Sequence, residues 1–337
     1  MNNSLPINDG DAPPTFDIAN RTFLVTGGAG FIGSHIVHRL VAEGAQVRVL
    51  DLLTTGRREN LAGVMDRIEF QVGDIADLEA VRRATKGVAY VLHLAALVSV
   101  PESIEAPERN LTVNIIGVHN LLLAAREAGV RRLVFSSSCA VYGDQPPPHH
   151  EALPPRCLSP YAAAKLSAEQ LCRSFTQVYQ LPTVCLRYFN VFGPRQNPHS
   201  GYAAAIPRFV TALLKGYPPT IYGDGLQSRD FVYVANVVEA NLLACKAEAA
   251  VGEVFNVGAG QETNLLALLD ILSELTGQTT NPVFNPPRNG DIRHSYGDMS
   301  RSAARLGYRP AIGLIEGLRE TVRWYQEHDR EIQAVHH

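Results

Sequence analysis

Hydrophobic positions in the first half of the chain alternate between short apolar runs and longer stretches with apolar residues three or four positions apart. The short runs are rich in β-branched residues, which is typical of buried strands. The alternation predicts parallel strands with helices packed on both faces of the sheet. The predicted strands are residues 22–26, 46–50, 68–72, 89–94, 132–136 and 182–188, and the predicted helices are residues 31–43, 77–85, 107–128 and 161–179.

The second half of the chain has a different pattern. Residues 190–201 are rich in Pro, Gly and Asn, which predicts a long loop. Short helical stretches then alternate with loops and brief strands. The predicted helices are residues 205–215, 235–247, 264–275 and 314–327. Because crossovers between parallel strands are right-handed, we predict an α/β fold: a Rossmann-like, doubly wound parallel sheet with a smaller α/β C-terminal substrate lobe.

Composition narrows the class of protein. Of the 337 residues, 46% are hydrophobic and 19% are charged, which indicates a globular protein with a substantial core. The formal net charge of −3, with mixed signs, gives no footprint for nucleic acid and no polybasic membrane anchor. No apolar run reaches membrane-spanning length, and the polar first 19 residues resemble a loose tail rather than a signal peptide.

The cysteines are widely spaced and form no C-x-x-C pair. This spacing argues against a zinc site or a disulfide framework and is typical of a reducing compartment. We therefore expect a cytoplasmic protein without a metal. The cysteines are Cys139, Cys157, Cys172, Cys185 and Cys245.

A glycine-rich segment follows the first predicted strand and opens the first predicted helix. It holds a G-x-G-x-x-G pattern at Gly28, Gly30 and Gly33, and a second glycine pattern begins at Gly27. Glycines allow a tight turn that brings backbone N–H groups close to a pyrophosphate at a helix N-terminus. Asp51 ends the second strand, 18 residues beyond Gly33. A carboxylate there accepts hydrogen bonds from a ribose and repels a 2′-phosphate, which favours NAD over NADP.

Polar residues at the ends of two predicted strands each have two possible roles. Asp74 and Ile75, after the third strand, are placed to flank an adenine, but Asp74 would serve equally well as a strand-end cap. The run Ser136-Ser137-Ser138 ends the fifth strand. A hydroxyl there could bond a substrate oxygen or satisfy the amides of a loop.

Tyr161 and Lys165 are four residues apart on a predicted helix that begins after Pro160. This spacing puts both side chains on one helix face. A phenol has an ordinary pKa of about 10, so a tyrosine base working near neutrality needs that pKa lowered. A neighbouring ammonium and a positively charged nicotinamide ring would both favour the phenolate, and a shift of about 3 pKa units corresponds to roughly 4 kcal/mol.

In this order, the glycine loop, Asp51, the serine cluster and Y-x-x-x-K resemble the extended short-chain dehydrogenase/reductase family. The resemblance covers residues 22–325 and is closest to nucleotide-sugar 4-epimerases, especially the UDP-N-acetylglucosamine 4-epimerase branch. The segments that carry it are A-A-L-V-S-V-P from Ala95, S-P-Y-A-A-A-K from Ser159, L-R-Y-F-N-V-F-G from Leu186, R-Q-N-P from Arg195, Y-A-A-A-I-P from Tyr202 and S-R-D-F from Ser228.

The resemblance implies a homodimeric, NAD-dependent enzyme in which Tyr161 is the general acid and base, Lys165 binds the nicotinamide ribose, and Ser138 contacts the sugar 4-hydroxyl. The implied NAD contacts are Gly27, Gly30, Phe31, Ile32, Gly33, Asp51, Asp74, Ile75, Leu94, Ala95, Ala96, Asn114, Tyr161 and Lys165. The implied UDP-sugar contacts are Ser99, Ser138, Tyr161, Asn190, Ala205, Tyr222, Arg229, Arg288, Asp291 and Ser295. We expect residues 20–189 with about 228–258 to bind NAD, and about 190–227 with 259–330 to bind the UDP-sugar.

Departures from related enzymes bear on the choice of reaction. Similar 4,6-dehydratases carry Thr-Asp-Glu where Ser138, Cys139 and Ala140 stand, and UDP-glucuronate decarboxylases carry a glutamate at Ala140. Elimination of water needs an acid and a base beyond the tyrosine, and Cys139 and Ala140 cannot supply them. Epimerisation needs one tyrosine and reversible hydride transfer. We therefore favour inversion at C4 through a transient 4-keto sugar.

The prediction of which sugar is bound depends on one residue position. Hexose-specific relatives have a tyrosine where the matching residue here is Ser295, and a small residue leaves room for an N-acetyl group. UDP-GlcNAc/UDP-GalNAc is therefore the first expectation, with UDP-Glc/UDP-Gal beside it. This depends on the register, because Tyr296 is the next residue. A UDP-glucuronate 4-epimerase, a net oxidoreductase or dehydratase of the same fold, and a catalytically silent nucleotide-binding module stay as alternatives.

Overall fold

The computed structural model describes residues 17–198, 204–279, 281–287 and 292–328. Its central feature is a seven-stranded sheet in which every neighbouring pair of strands is parallel. The strands lie in the order β3-β2-β1-β4-β5-β6-β11. Their bounds are β1 Thr22–Thr26, β2 Gln46–Asp51, β3 Ile68–Val72, β4 Tyr90–His93, β5 Arg132–Ser138, β6 Thr183–Tyr188 and β11 Glu253–Val257. This confirms the predicted Rossmann-like, doubly wound α/β sheet.

Helices cover both faces of this sheet. The first half of the chain contributes α1 Phe31–Ala42, α2 Leu78–Thr85, α3 Val100–Glu105, α4 Pro107–Leu111, α5 Gly117–Glu127 and α6 Pro160–Tyr179. The second half contributes α7 Ala205–Leu214, α8 Val234–Lys246, α9 Leu265–Thr276, α10 Ser300–Arg305 and α11 Leu314–Glu327. One buried cluster joins α1 and α8 to one face of the sheet, and another joins α2, α5 and α6 to the opposite face.

The remaining strands are short and lie mostly in the C-terminal half. They are β7 Asn190–Phe192, β8 Thr220–Tyr222, β9 Ser228–Arg229, β10 Phe231–Tyr233, β12 Thr263–Asn264, β13 Val283–Asn285 and β14 His294–Ser295. They form two parallel pairs, β7 with β10 and β8 with β13, and a three-stranded sheet in the order β12-β9-β14. A separate apolar core packs α7, α9 and α11 together.

Two predicted segments differ from the structure. The predicted helix 107–128 is broken, because Thr112–Ile116 forms a π-helical turn between α4 and α5. Four of the five residues in that turn are β-branched, which lowers their α-helical propensity. The predicted loop 190–201 begins with a strand, β7, which pairs with β10.

The sheet topology fixes where a ligand can bind. The chain order reverses between β1 and β4, which are neighbours in the sheet although β2 and β3 come between them in sequence. In open parallel sheets, ligands bind at the carboxyl ends of the strands beside such a reversal. The ends of β1 and β4, at Thr26 and His93, therefore mark the cofactor side of the molecule. Within the described ranges, no helix has both the length and the apolar character needed to cross a membrane.

Candidate active site

The glycine segment between β1 and α1 is packed so closely that side chains are excluded. Gly27 has a φ of +68°, and a Cβ there would lie 2.7 Å from the backbone nitrogen of Ala95. A Cβ on Gly33 would lie 2.1 Å from the carbonyl oxygen of Gly27. Helix α1 begins with Gly30 as its N-cap, and no side chain caps it. The N–H groups of its first turn, at Phe31 and Ile32, are therefore available to an anion such as a pyrophosphate.

Asp51 lies at the end of β2, as the sequence predicts. It is buried, and it also holds the glycine loop in place. Its Oδ2 accepts a hydrogen bond from Ala29 N at 2.9 Å, and its Oδ1 accepts one from Leu53 N at 2.7 Å. A Cβ on Gly56 would lie 2.9 Å from either carboxylate oxygen. Since each oxygen has a second lone pair, the carboxylate can still accept from a ribose.

The residues predicted to flank the adenine are positioned by hydrogen bonds to the backbone. Asp74 Oδ1 accepts from Ala76 N at 2.9 Å, which is the strand-end turn that the sequence left open as an alternative. Asn120 on α5 donates to the carbonyl oxygens of Ile75 and Ala76, at 3.2 and 2.9 Å. Ile75 is buried. These hydrogen bonds fix the position of the loop after β3 beside the sheet.

The loop after β4 contacts the glycine loop directly. Thr26 Oγ1 accepts from Ala95 N at 3.3 Å and lies 2.7 Å from His93 Nδ1. Burial, with a smaller effect from Lys165, lowers the pKa of His93 to about 3, so the imidazole is neutral. Leu94 and Ala96 belong to the same loop and are half-buried. Asn114 bonds this loop through its carboxamide, which accepts from the N–H of Leu97 and donates to the carbonyl of Leu97.

Helix α6 starts with Ser159 as N-cap, and its first turn is closed by hydrogen bonds. Ser159 Oγ accepts from Ala162 N at 3.2 Å, and Ser103 Oγ accepts from Tyr161 N at 3.1 Å. Pro160 has no N–H to satisfy. Tyr161 therefore sits in the first turn of the helix with its backbone fixed, as predicted from Pro160. Tyr161 and Lys165 are both buried, and Lys165 Nζ lies 5.8 Å from the centre of the Tyr161 ring.

The protein environment alone does not lower the pKa of the tyrosine. Burial raises the pKa of Tyr161 to about 12, although a hydrogen bond from Ser138 opposes this. Burial also lowers the pKa of Lys165 to about 8, against the attraction of Glu169. Lys165 Nζ donates to the carbonyl oxygen of Ser136 at 2.8 Å. A lowered pKa of Tyr161 would therefore need a further cation beside the phenol.

A buried ion pair lies one helical turn beyond Lys165. Arg187 on β6 donates to both carboxylate oxygens of Glu169, at 2.9 and 2.7 Å, and Ser137 also donates to this carboxylate. Both charged residues are almost fully buried. A two-point guanidinium–carboxylate contact is geometrically specific, so it fixes α6 on the sheet.

Ser138 and Cys139 lie beside the tyrosine. Ser295 on β14 pairs in register with Arg229 on β9. Cys139 is near both Ser295 and Arg229. Burial raises the pKa of Cys139 to about 11, so its thiol stays protonated near neutrality and is not a nucleophile. Small side chains therefore line this side of the pocket.

The other predicted substrate residues have mixed positions. Asn190 lies at the start of β7, and its N–H donates to the carbonyl of Asp230. Ala205 opens α7, which no side chain caps. Tyr222 ends β8, with the Arg208 guanidinium 5.7 Å from its ring centre. Ser99 is the N-cap of α3, accepting from Glu102 N. Arg288 and Asp291 lie outside the described residues.

Several buried polar residues around the site were not predicted from the sequence. Asp230 accepts from the N–H groups of Ala259, Gly260 and Gly297, and so holds the loops beside Ser295. Glu169 could have been found from its place four residues after Lys165, on the helix face that meets the sheet. Ser103 and Asn110 carry no signal of this kind, since their partners are distant in sequence.

Comparisons with known proteins agree with this geometry. Residues 23–258 match the model of the NAD dependent epimerase/dehydratase family. The chain is 42% identical to a UDP-glucose 4-epimerase of Mycolicibacterium smegmatis over 308 residues, which cover 90% of this chain and 98% of that protein.

Two solved structures are also similar. The UDP-N-acetylglucosamine 4-epimerase from Methanobrevibacter ruminantium, in complex with UDP-N-acetylmuramic acid, is 40% identical with a TM-score of 0.88, covering 92% of this chain and 99% of that one. The UDP-glucose 4-epimerase of Thermus thermophilus, in complex with NAD, is 40% identical with a TM-score of 0.83, covering 90% and 99% of the two chains.

Proposed function

We propose a reaction for this chain from one premise, that it belongs to the NAD dependent epimerase/dehydratase family. The reaction is inversion of C4 in the sugar of a UDP-sugar, and the cofactor is NAD. One observation carries the choice within the family. Tyr161, hydrogen-bonded to Ser138, is next to Cys139 and Ala140, neither of which can act as a second acid or base at neutral pH. A site with one proton carrier suits epimerisation and does not suit elimination of water.

The residues present fit NAD. The uncapped first turn of α1 offers backbone N–H groups to the diphosphate, and Asp51 offers carboxylate oxygens to the adenosine ribose. Lys165 is on the same face of α6 as Tyr161, and we assign it to the nicotinamide ribose. Bound NAD would supply reversible hydride transfer at C4 of the sugar.

The protein's own part in the reaction is to move one proton. Tyr161 accepts the proton of the 4-hydroxyl, and it donates the proton back after the 4-keto sugar has rotated in the site. Ser138 bonds the same oxygen. The pKa of Tyr161 is about 12 in the protein alone. Lowering this pKa to about 7 takes roughly 7 kcal/mol of stabilisation of the phenolate. Because Lys165 is already present in the protein that gives this value, the positive charge of oxidised NAD is the cation that would supply it.

For the sugar, we propose UDP-GlcNAc/UDP-GalNAc, with UDP-Glc/UDP-Gal also accepted. Ser295 and Cys139 are near each other and both have small side chains, so neither adds bulk beside Tyr161. Tyr296, the residue that a slip in register would have put there, lines a cleft with Pro148 and Arg309 instead. This supports the register that gives room for an N-acetyl group. In this proposal, residues 20–189 with about 228–258 bind NAD, and the rest of the described lobe binds the UDP-sugar.

We further propose that the enzyme is a cytoplasmic homodimer. Large apolar side chains are exposed along the helices that flank Tyr161: Ile104, Leu111, Ile116, Leu158 and Val178. Exposed large apolar side chains on neighbouring helices suit an interface, and a second copy of the chain is the simplest partner. All five cysteines are unpaired, which supports a reducing compartment. A solution mass equal to one chain would contradict the dimer.

The test is proton NMR of the purified protein with UDP-GlcNAc, UDP-Glc and UDP-glucuronate in separate tubes. We expect interconversion of the 4-epimers of the first two, no steady rise in absorbance at 340 nm, and loss of activity in Tyr161→Phe. Ser295→Tyr should suppress the UDP-GlcNAc reaction about tenfold or more while sparing UDP-Glc, because a bulky ring fills the acetamido space. Conversion of the uronate alone would replace the proposed substrate, and accumulation of a keto product would replace the proposed reaction.

A further inference from the structure

Three buried polar side chains lie between the loop after β4 and the first turn of α6. They are Ser103 on α3, Asn110 on α4 and Asn114 in the π-helical turn, with exposed fractions of 0%, 4% and 1%. Burying a carboxamide is costly unless its hydrogen bonds are made. Each of these side chains bonds a backbone group of a functional loop or helix, so their partners indicate what they are for.

Asn114 binds the loop that follows β4. Its Oδ1 accepts from Leu97 N at 3.0 Å, and its Nδ2 donates to the carbonyl oxygen of Leu97 at 2.9 Å and to Asn110 Oδ1 at 2.8 Å. Every polar atom of the carboxamide is therefore used. Leu97 is the residue after Ala95 and Ala96, and Ala95 packs against Gly27 of the glycine loop. Asn114 thus ties α4–α5 to the cofactor side of the sheet.

Asn110 binds the start of α6. Its Nδ2 donates to the carbonyl oxygen of Pro160 at 3.1 Å, while its Oδ1 accepts from Asn114. The orientation of both carboxamides is fixed, because rotating either one would place donor against donor or acceptor against acceptor. The peptide that Asn110 holds, between Pro160 and Tyr161, is the same peptide whose N–H donates to Ser103. Asn110 and Ser103 therefore hold this peptide by its C=O and its N–H.

We propose that Asn110 is a positioning residue for the reaction: together with Asn114 it forms an amide bridge that sets Tyr161 at a fixed place relative to the cofactor loop. This rests on the proposed function, since it assigns a role to a residue around Tyr161. The bridge runs from Leu97 through Asn114 and Asn110 to Pro160, all by hydrogen bonds of 2.8–3.1 Å. Asn110 touches no reacting atom and acts through the helix that carries the tyrosine.

The π-helical turn supports this interpretation. It widens the chain at Thr112–Ile116, where Asn114 reaches Leu97, and π-turns are frequent at functional sites. Residues four apart on a helix face the same side, which places Asn110 and Asn114 next to each other. A wider turn is energetically poorer than an α-helical one, and its retention here coincides with the reach of Asn114 to the loop.

The test compares Asn110→Ala and Asn110→Asp with the parent holoenzyme in the UDP-sugar assay. Both variants lose the donor to Pro160, while the aspartate keeps an acceptor for Asn114. We expect kcat to fall about tenfold in both, with little change in KM or in NAD content per chain, because small displacements of a reacting group are costly. A tyrosine displaced from Lys165 and the nicotinamide is a weaker acid, so the acidic limb of the kcat–pH profile should move to higher pH in both variants.

Asn120→Ala is the matched control. Asn120 is a buried asparagine on α5 that also donates to two backbone carbonyls, those of Ile75 and Ala76, on the adenine side. Its loss should lower NAD content or thermal stability and leave the acidic limb where it is in the parent. A general weakening of the fold would affect all three variants alike.

The outcomes separate the two proposals. Parental kcat and an unmoved acidic limb in both Asn110 variants would overturn the amide bridge while leaving Tyr161 chemistry intact. A fall in kcat that only follows lost NAD would also overturn it, since the bridge would then serve binding. Absence of activity in the parent on every UDP-sugar would instead reject the proposed function.

Discussion

The starts of helices α1 and α6 are built in opposite ways. At α1 the N-cap is Gly30, no side chain caps it, and the glycines are packed so tightly that a Cβ at Gly33 would collide with backbone. At α6 the N-cap is Ser159, and the N–H of Ala162 is bonded by this serine while that of Tyr161 is bonded by Ser103. One helix start is left open, and the other is closed.

The difference shows two uses of the same backbone feature. The first turn of any helix has N–H groups without partners inside the helix. Left open, they attract an anion, which suits a start that is to hold the diphosphate of NAD. Bonded to side chains, they fix the helix, which suits a start that is to hold a reactive phenol. The contrast predicts that damage to each start will affect a different measurement.

The largest expected effect comes from closing the space at α1. Gly33→Ala puts a Cβ 2.1 Å from the carbonyl of Gly27, so the loop must move. Overpacking and lost bonds to the diphosphate together should cost about 4 kcal/mol, which is roughly 1,000-fold in NAD affinity. NAD released from the denatured variant, measured by absorbance, should be far below one per chain.

Gly313→Ala is the control for this change. Gly313 is the N-cap of α11, has an ordinary φ, and has no heavy atom within 4 Å of its virtual Cβ. This variant should keep parental NAD content. If Gly33→Ala also retained the cofactor fully, the open start of α1 would not be the diphosphate site.

The next effect concerns the charge that α6 buries. Burial lowers the pKa of Lys165 from 10.5 to about 8. Between these values the unfolded chain holds this proton and the folded protein does not, so the free energy of unfolding should rise with pH across the window. The rise from this residue is about 3 kcal/mol. At pH 7 both states are protonated and the full cost of burying the charge is present.

Lys165→Met isolates this contribution. Urea unfolding of NAD-free parent and variant from pH 7 to 10.5 should show the variant more stable at pH 7, with the difference shrinking as pH rises. Other titrating groups are common to both proteins and cancel in the subtraction. A difference that stays constant with pH would mean that Lys165 keeps an ordinary pKa. In that case, α6 would bury the charge of Lys165 without lowering the stability of the protein.

The sequence predicts the open start far better than the closed one. The glycine pattern, the strand before it and Asp51 lie within one βαβ unit, so local spacing is enough to place them. Tyr161 and Lys165 were likewise found from their spacing on one helix. The residues that close the α6 start could not be found this way, because Ser103 and Asn110 precede Tyr161 by 58 and 51 positions and meet it only after the sheet has formed.

Electrostatics was also beyond sequence reasoning. From the sequence we expect an ammonium and a bound nicotinamide ring to lower the pKa of the phenol together, whereas the folded protein alone raises the pKa of Tyr161 to about 12, because burial outweighs the bond from Ser138. Burial depends on the packing of α3 and α4 against α6. In the same way, the bonds of the Asn114 carboxamide to Leu97 and Asn110 depend on packing, and its place near the nicotinamide end stays a prediction. Spacing gives the residue types at a site, and packing decides their state.

The smallest expected effect comes from opening the start of α6. Ser159→Ala removes the acceptor for Ala162 N, which should cost about 1 kcal/mol of stability. Asp77→Ala is the matched control, because Asp77 caps α2 by accepting from Glu79 N and Ala80 N and should cost a similar amount. Only Ser159→Ala should also lower kcat, by severalfold, since only α6 carries a reacting group in its first turn. Equal kcat in the two variants, at equal loss of stability in urea unfolding, would mean that closing the α6 start serves folding alone, and the functional contrast between the two helix starts would not hold.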